Sequence, residues 1–223
     1  MYKWFARYGV FIAGLYVLTL GVVLIIRASL GTSPISSFTY VLSLFTPLSL
    51  GSATFMLNLA LIAGQLWFVR GIGTRQDYIE IMLQIPFSVL FSVFLDLNMM
   101  LTASVAPAGY VSAVAMLVAG CLVQALGVAL ELKPNVVAMS AEGFVKYGSR
   151  RYHRSFGRFK VGFDVSLVLL AVVASVAMCG SVAGVREGTL VAAVSVGLLV
   201  NFINVRLLSP SRVGRLLSLF RLG

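Results

Sequence analysis

Ala13–Leu24 reads AGLYVLTLGVVL, and Ala119–Leu130 reads AGCLVQALGVAL. Seven of the twelve positions are identical at a single offset of 106: Ala13/Ala119, Gly14/Gly120, Val17/Val123, Leu20/Leu126, Gly21/Gly127, Val22/Val128 and Leu24/Leu130. At the same offset Arg27 falls on Lys133, Phe38 on Phe144 and Asn58 on Asp164. Self-similarity at a fixed spacing is the mark of an internal duplication, here dividing the chain into residues 1–106 and 107–223.

The setting of that duplication follows from composition. Of the 223 residues, 60% are hydrophobic and only 11% charged, and the mean hydropathy is +1.00. A soluble chain of this length has no interior large enough for so much apolar surface. The apolar residues also come in runs long enough, as helices, to match the thickness of a bilayer core. These features predict an all-α membrane protein with spans at Tyr8–Ile26, Gly51–Val69, Tyr78–Leu95, Ala108–Leu130, Val161–Ala183 and Thr189–Val205. The first run is full length and no small-residue cleavage site follows it, so it is expected to remain as the first span.

A net charge of +10 would suggest a nucleic-acid partner in a soluble protein. In a membrane protein the excess of basic residues on cytoplasmic loops accounts for it, and no nucleic acid is expected. With a cytoplasmic N-terminus, 15 of the 17 Lys and Arg residues fall inside, and only Arg27 and Arg186 outside. Both termini are therefore predicted in the cytoplasm. Three spans per copy is an odd number, so the copies cross the bilayer in opposite senses. Six transmembrane helices in two inverted-topology three-helix repeats is a recurring plan of secondary transporters, whose site lies between the repeats near the midplane.

Each copy carries a short extra segment after its first span. Ser33-Pro34 opens PISSFTYVLSLF, a cap followed by proline at the first helical position, and Pro47 closes it. The equivalent piece is expected at Pro134–Tyr147, ended by Gly148. Both are too short to cross a bilayer. They either lie along the membrane surface or dip inward as half-helices that bring backbone N–H groups towards a ligand.

Polar groups inside the spans are the candidates for function. Arg27 and Lys133 sit at the far ends of the first helix of each copy, either snorkelling to the interface or acting as symmetric cationic gates. Asp164 has Lys160 four positions earlier, as an ordinary surface pair would, while its repeat partner Asn58 lies within a span where an amide needs an interhelical partner. Gln124 lies deep in the fourth span, Glu131 and Lys133 close that span, and Gln84 and Asp96 mark the third. Asn201 and Asn204 share a face of the last span. The glycines seven apart, Gly14/Gly21 and Gly120/Gly127, fit close helix packing. The substrate-binding or gating candidates are thus Arg27, Asn58, Gln124, Lys133 and Asp164.

Catalytic signatures are missing: there is no HExxH, GxSxG, CxxC or phosphate-binding GxxxxGK[ST]. No enzyme activity and no cofactor are expected. His153 has no Cys or second His nearby, so no metal site is expected. Cys121 and Cys179 lie within spans, as small apolar fillers do. The basic run KYGSRRYHRSFGRFK (Lys146–Lys160) fits an orientation signal that also meets anionic lipid headgroups.

The segment RYGVFIAGLYVLTLGVVLIIRASLGTSPISSF (Arg7–Phe38) resembles the YczE/YyaS/YitT family of bacterial integral membrane proteins, and the likeness continues through Gly73-Thr74, Pro86 and Gly188-Thr189. The resemblance implies a six-span protein of the bacterial inner (plasma) membrane, in a family sometimes grouped with exporters. The chain departs from its own repeat at 137–140, where Val-Ala-Met-Ser stands opposite Gly31–Pro34. The leading expectation is a secondary transporter of a small solute. The alternatives are a substrate-binding membrane subunit that needs a partner ATPase, and a non-transporting scaffold or regulator.

Overall fold

The computed structural model describes residues 2–134, 136–182 and 184–206. Among these there are eight helices and no strand: α1 (Tyr2–Arg27), α2 (Pro34–Phe45), α3 (Leu50–Val69), α4 (Arg75–Leu101), α5 (Tyr110–Leu132), α6 (Ser140–Arg151), α7 (Phe156–Cys179) and α8 (Glu187–Arg206). Within α1, Arg7–Arg27 is long and apolar enough to cross a membrane, as are α3, α4, α5 and α7. The apolar part of α8, Glu187–Val200, is shorter. The chain is thus a multi-pass, all-helical membrane protein. The side chains of Asn201 and Asn204, and everything beyond Arg206, lie outside the described residues.

Local chemistry sets the helix ends. Ser33 precedes Pro34 at the first position of α2. The Ser49 hydroxyl accepts from the Ser52 N–H at the start of α3. Thr74 and Asp77 form a reciprocal capping box at the start of α4, with Thr74 N–H donating to Asp77 at 2.7 Å. Gly180, at φ 69°, ends α7 in the left-handed conformation glycine adopts without strain. Large apolar side chains such as Met56, Met82, Val118, Leu169 and Leu198 stay exposed on the outer surfaces, as lipid-facing side chains do.

The centre of the molecule is the α1/α5 pair. A Cβ on Gly14 would meet the Glu131 backbone and one on Gly21 the Gln124 backbone; one on Gly127 would meet Leu18 and one on Gly120 Ile25. The residue numbers of every pair add to 145, so the two helices run antiparallel. The contacts are also reciprocal, since Gly120, Gly127, Gln124 and Glu131 are the repeat equivalents of Gly14, Gly21, Leu18 and Ile25. Such self-complementarity is what a two-fold axis imposes, and here the axis passes between positions 19 and 20. The helices touch backbone to backbone because the glycines have no side chain to hold them apart.

The other elements follow that axis in part. The short α2 packs on α7, and the short α6 on α3; α1 packs on α4 as α5 does on α8. Among the described residues, the pairing of α3 with α4 has no counterpart of similar extent between α7 and α8.

Several boundaries differ from the sequence-based expectation: α4 runs on to Leu101 instead of ending at Leu95, and α7 is Phe156–Cys179 instead of Val161–Ala183, stopped by Gly180. The second short helix is Ser140–Arg151, not Pro134–Tyr147. Residues 136–139 are non-helical, with Met139 extended at φ −64° and ψ 161°. Gly148 does not end the helix, which continues to Arg151; its missing side chain leaves room for the Phe159 and Phe68 rings. With the corrected bounds α6 stands at the repeat offset from α2 at both ends, and the start of α7 stands at the same offset from the start of α3.

Candidate functional site

Beside the α1/α5 crossing lies a cavity of about 100 Å³, room for a few waters or a compact solute. From α1 come Leu18 and Val22, and from α5 Gln124, Val128 and Glu131. The starts of both short helices open onto it: Ser33, Ile35 and Ser36 of α2, and Met139, Ser140, Ala141 and Glu142 of α6. Thr54 and Asn58 of α3 and Phe91 of α4 complete the walls, with Thr39. The lining is matched across the axis: Leu18 with Gln124, Val22 with Val128, Ser33 with Met139, Ile35 with Ala141, and Ser36 with Glu142.

Both short helices present an N-terminal turn here, where backbone N–H groups lack intrahelical partners. Neither first turn receives a side-chain cap. At its other end α6 is clasped to the α3–α4 connection. Lys146 Nζ meets Glu80 at 2.7 Å, Arg150 meets Asp77 at 3.0 Å, and Arg151 donates to the Arg70 carbonyl. Below them Gln65 and Gln84 exchange hydrogen bonds at 2.9 and 2.8 Å, and Gln65 also donates to the Ser140 carbonyl at 3.0 Å. These bonds fix where the start of α6 sits against α3.

The polar groups of the cavity are left incomplete. Asn58 is buried, and its Oδ1 accepts from Ser140 Oγ at 2.7 Å, but its Nδ2 has no partner. Gln124 Oε1 is likewise buried without a donor. Glu131 is only 5% exposed, yet among the described residues no salt bridge includes it. Glu142 is surrounded by protein but keeps some accessible surface because it faces the cavity. Burial pushes the Glu142 carboxyl above the ordinary range; the Lys160 ammonium works against that and the Asp164 carboxylate with it.

The five candidates from sequence end in different places. Asn58 and Gln124 line the cavity. Arg27 does not: it donates to the Met99 carbonyl at 2.7 Å and to Thr102 at 3.4 Å, closing the end of α4. Lys133 is exposed at the opposite end of the α1/α5 pair. By the antiparallel register it is level with position 12, so about 22 Å of helix axis separates it from Arg27. Asp164 holds Lys160 at 2.7 and 2.8 Å on one face of α7, half-buried and outside the lining, though its charge reaches Glu142. His153 ends the α6–α7 turn at φ 51°, and among the described residues no cluster of metal-ligating side chains forms.

Glu131 and Glu142 were absent from the sequence-derived site. The available signal was the repeat itself, which sets Glu131 against Ile25 and Glu142 against Ser36. An acidic group replacing an apolar or small residue within a duplicated frame marks where the copies differ in chemistry.

A family of unknown function, DUF6198, matches residues 5–205. No curated protein and no solved structure matches the chain.

Proposed function

We propose that this chain, which belongs to DUF6198, is a secondary transporter of a small solute, working between two inverted three-helix repeats in the bacterial inner membrane. In this reading α8 is the sixth span, since its 20 residues cover about 30 Å, the thickness of a bilayer core. The YczE/YyaS/YitT resemblance belongs to the same proposal. So does the orientation, with Arg70, Arg75 and the basic run Lys146–Lys160 in the cytoplasm and the exposed Arg154 and Arg158 against anionic headgroups.

One observation carries it: the cavity is lined by repeat-matched positions of both copies at the middle of the central helix pair. Glu131 is level with position 14 and Val22 lies at the other limit, so the cavity centres near position 18 of a span running from 7 to 27. A site shared by two related halves is opened to one side or the other by rocking one half against the other. The short helices then act as re-entrant half-helices, and their irregular connections are tolerated because they line a cavity instead of facing lipid.

The test is direct. Purified protein is screened by thermal shift against small amines, amino acids and sugars, and hits are followed as flux into liposomes holding this chain alone. Saturable flux without a partner supports the proposal. Binding without flux favours a substrate-binding subunit that depends on another protein for energy.

A further inference from the structure

Resting on the transporter reading, we infer that Glu131 and Glu142 form one exchange site that holds either a proton or a small organic ammonium ion. The solute class is therefore a compact cation with N–H donors.

The cavity's charges are lopsided. Two carboxyl groups line it, and no Lys, Arg or His does. Cations on the neighbouring elements have carboxylate partners of their own: Lys160 with Asp164, Lys146 with Glu80, and Arg150 with Asp77; of these Lys160 also acts on Glu142, though its charge is matched by Asp164. Arg7 donates to the Pro134 carbonyl at 2.7 Å, and Lys133 is exposed. The two helix N-termini at the wall supply only partial positive charge, about half a unit each. Two ionised carboxylates against two helix ends leave about one negative charge, which one proton or one monovalent cation balances. Both carboxyl groups line the one cavity, so occupancy of one bears on the other.

The unpartnered groups choose the kind of cation. Gln124 Oε1 is a buried acceptor without a donor, and among the described residues the buried Glu131 carboxyl has no salt-bridge partner. A primary ammonium ion presents N–H donors to Glu131, Glu142 and Gln124 together. Asn58 Nδ2, the orphan donor, is left to hold whichever carboxylate stays ionised. Leu18, Val22 and Val128 give the short hydrocarbon of an alkylamine an apolar wall, and a volume of about 100 Å³ limits it to a few carbons. Because proton and cation compete for the same negative charge, loading one expels the other. That competition is the elementary condition for proton-coupled exchange.

The experiment uses the purified full-length protein in detergent, methylammonium as probe, and a pH dye in weak buffer. Expected is saturable binding that releases up to one proton per cation and weakens about tenfold per pH unit below the titration range. Potassium acetate at matched ionic strength should give no response. Glu131→Gln and Glu142→Gln should each abolish proton release. Should either substitution prevent folding, carbodiimide labelling of the wild-type protein decides. Modification at Glu131 or Glu142, slowed by methylammonium, sustains the pair, and its absence from both overturns it. Failure to bind methylammonium, binding with no proton release at any pH between about 5 and 9, or binding of acetate instead would also overturn it. Proton-releasing binding without flux in liposomes would keep the exchange site and discard the transporter. Flux of a neutral or anionic solute with no methylammonium binding would do the reverse.

Discussion

Asp164 and Glu142, on the packed helices α7 and α6, have opposite fates although the charge of one acts on the other. Asp164 has its cation at 2.7 Å and side-chain exposure near a quarter, where such a pair is worth about 0–1 kcal/mol. Asp164→Asn should therefore cost little stability. It also frees Lys160 to act on Glu142, so the pH midpoint of methylammonium binding should move down while binding itself persists. An unchanged midpoint would mean that Asp164 and Lys160 do not govern Glu142. Glu142 has a proton affinity raised by burial, so the folded chain holds a proton that the unfolded chain releases. Its stabilising effect is full below the ordinary glutamate range and is lost as pH rises through the raised value. In the absence of cation, thermal unfolding in detergent should fall over that window, and Glu142→Gln should flatten the fall. Asn58 and Gln124 were legible in the sequence because a lone amide in an apolar run demands a partner. Glu131 was masked by its neighbour Lys133, which made it look like a residue at the end of a span. Nothing local to 134–147 reveals that the chain turns inward there and starts its helix at Ser140.

Helices were the easier scale to read. Five of the six apolar runs correspond to helices long and apolar enough to cross a membrane, and the sixth falls in α8, whose apolar part is shorter; within a bilayer, a helix satisfies every backbone polar group of such a run. The start of α2 was fixed by Ser33-Pro34, whereas α6 has no such punctuation, and its start depends on the bonds that Gln65 and Asn58 make to Ser140. The spacing of the glycine pairs marks packing surfaces, and the α1/α5 crossing depends on them. Gly21→Val or Gly127→Val should push the backbones apart and destabilise the protein by at least about 1–3 kcal/mol. The check is a lowered unfolding temperature for both, by similar amounts, since the positions are related by the axis. Gly9→Ala and Gly162→Ala, where nothing lies within 4 Å of an added Cβ, should be neutral or slightly stabilising, as alanine is the better helix former. Equal losses at all four positions would contradict the reciprocal crossing.

At the scale of the molecule, the constant offset predicts an antiparallel central pair if each copy holds three spans, and α1 and α5 do run antiparallel. It did not anticipate where the halves part company, at α4 and α8, whose starts at Arg75 and Glu187 no longer keep the repeat offset. Reporter fusions after Arg75, Ala106 and Arg154 should report inside, outside and inside. An even number of crossings in either half would end the inverted-repeat account. The central claim, a cavity between the halves that opens to each side in turn, has a single decisive measurement. Val128→Cys is placed on the cavity wall in a chain whose Cys121 and Cys179 are replaced by alanine, and is then exposed to a membrane-impermeant thiol reagent from one side of the bilayer at a time. The account predicts labelling from both sides, with the preferred side changing when the solute is added. Labelling from one side only, whatever the solute, would contradict it.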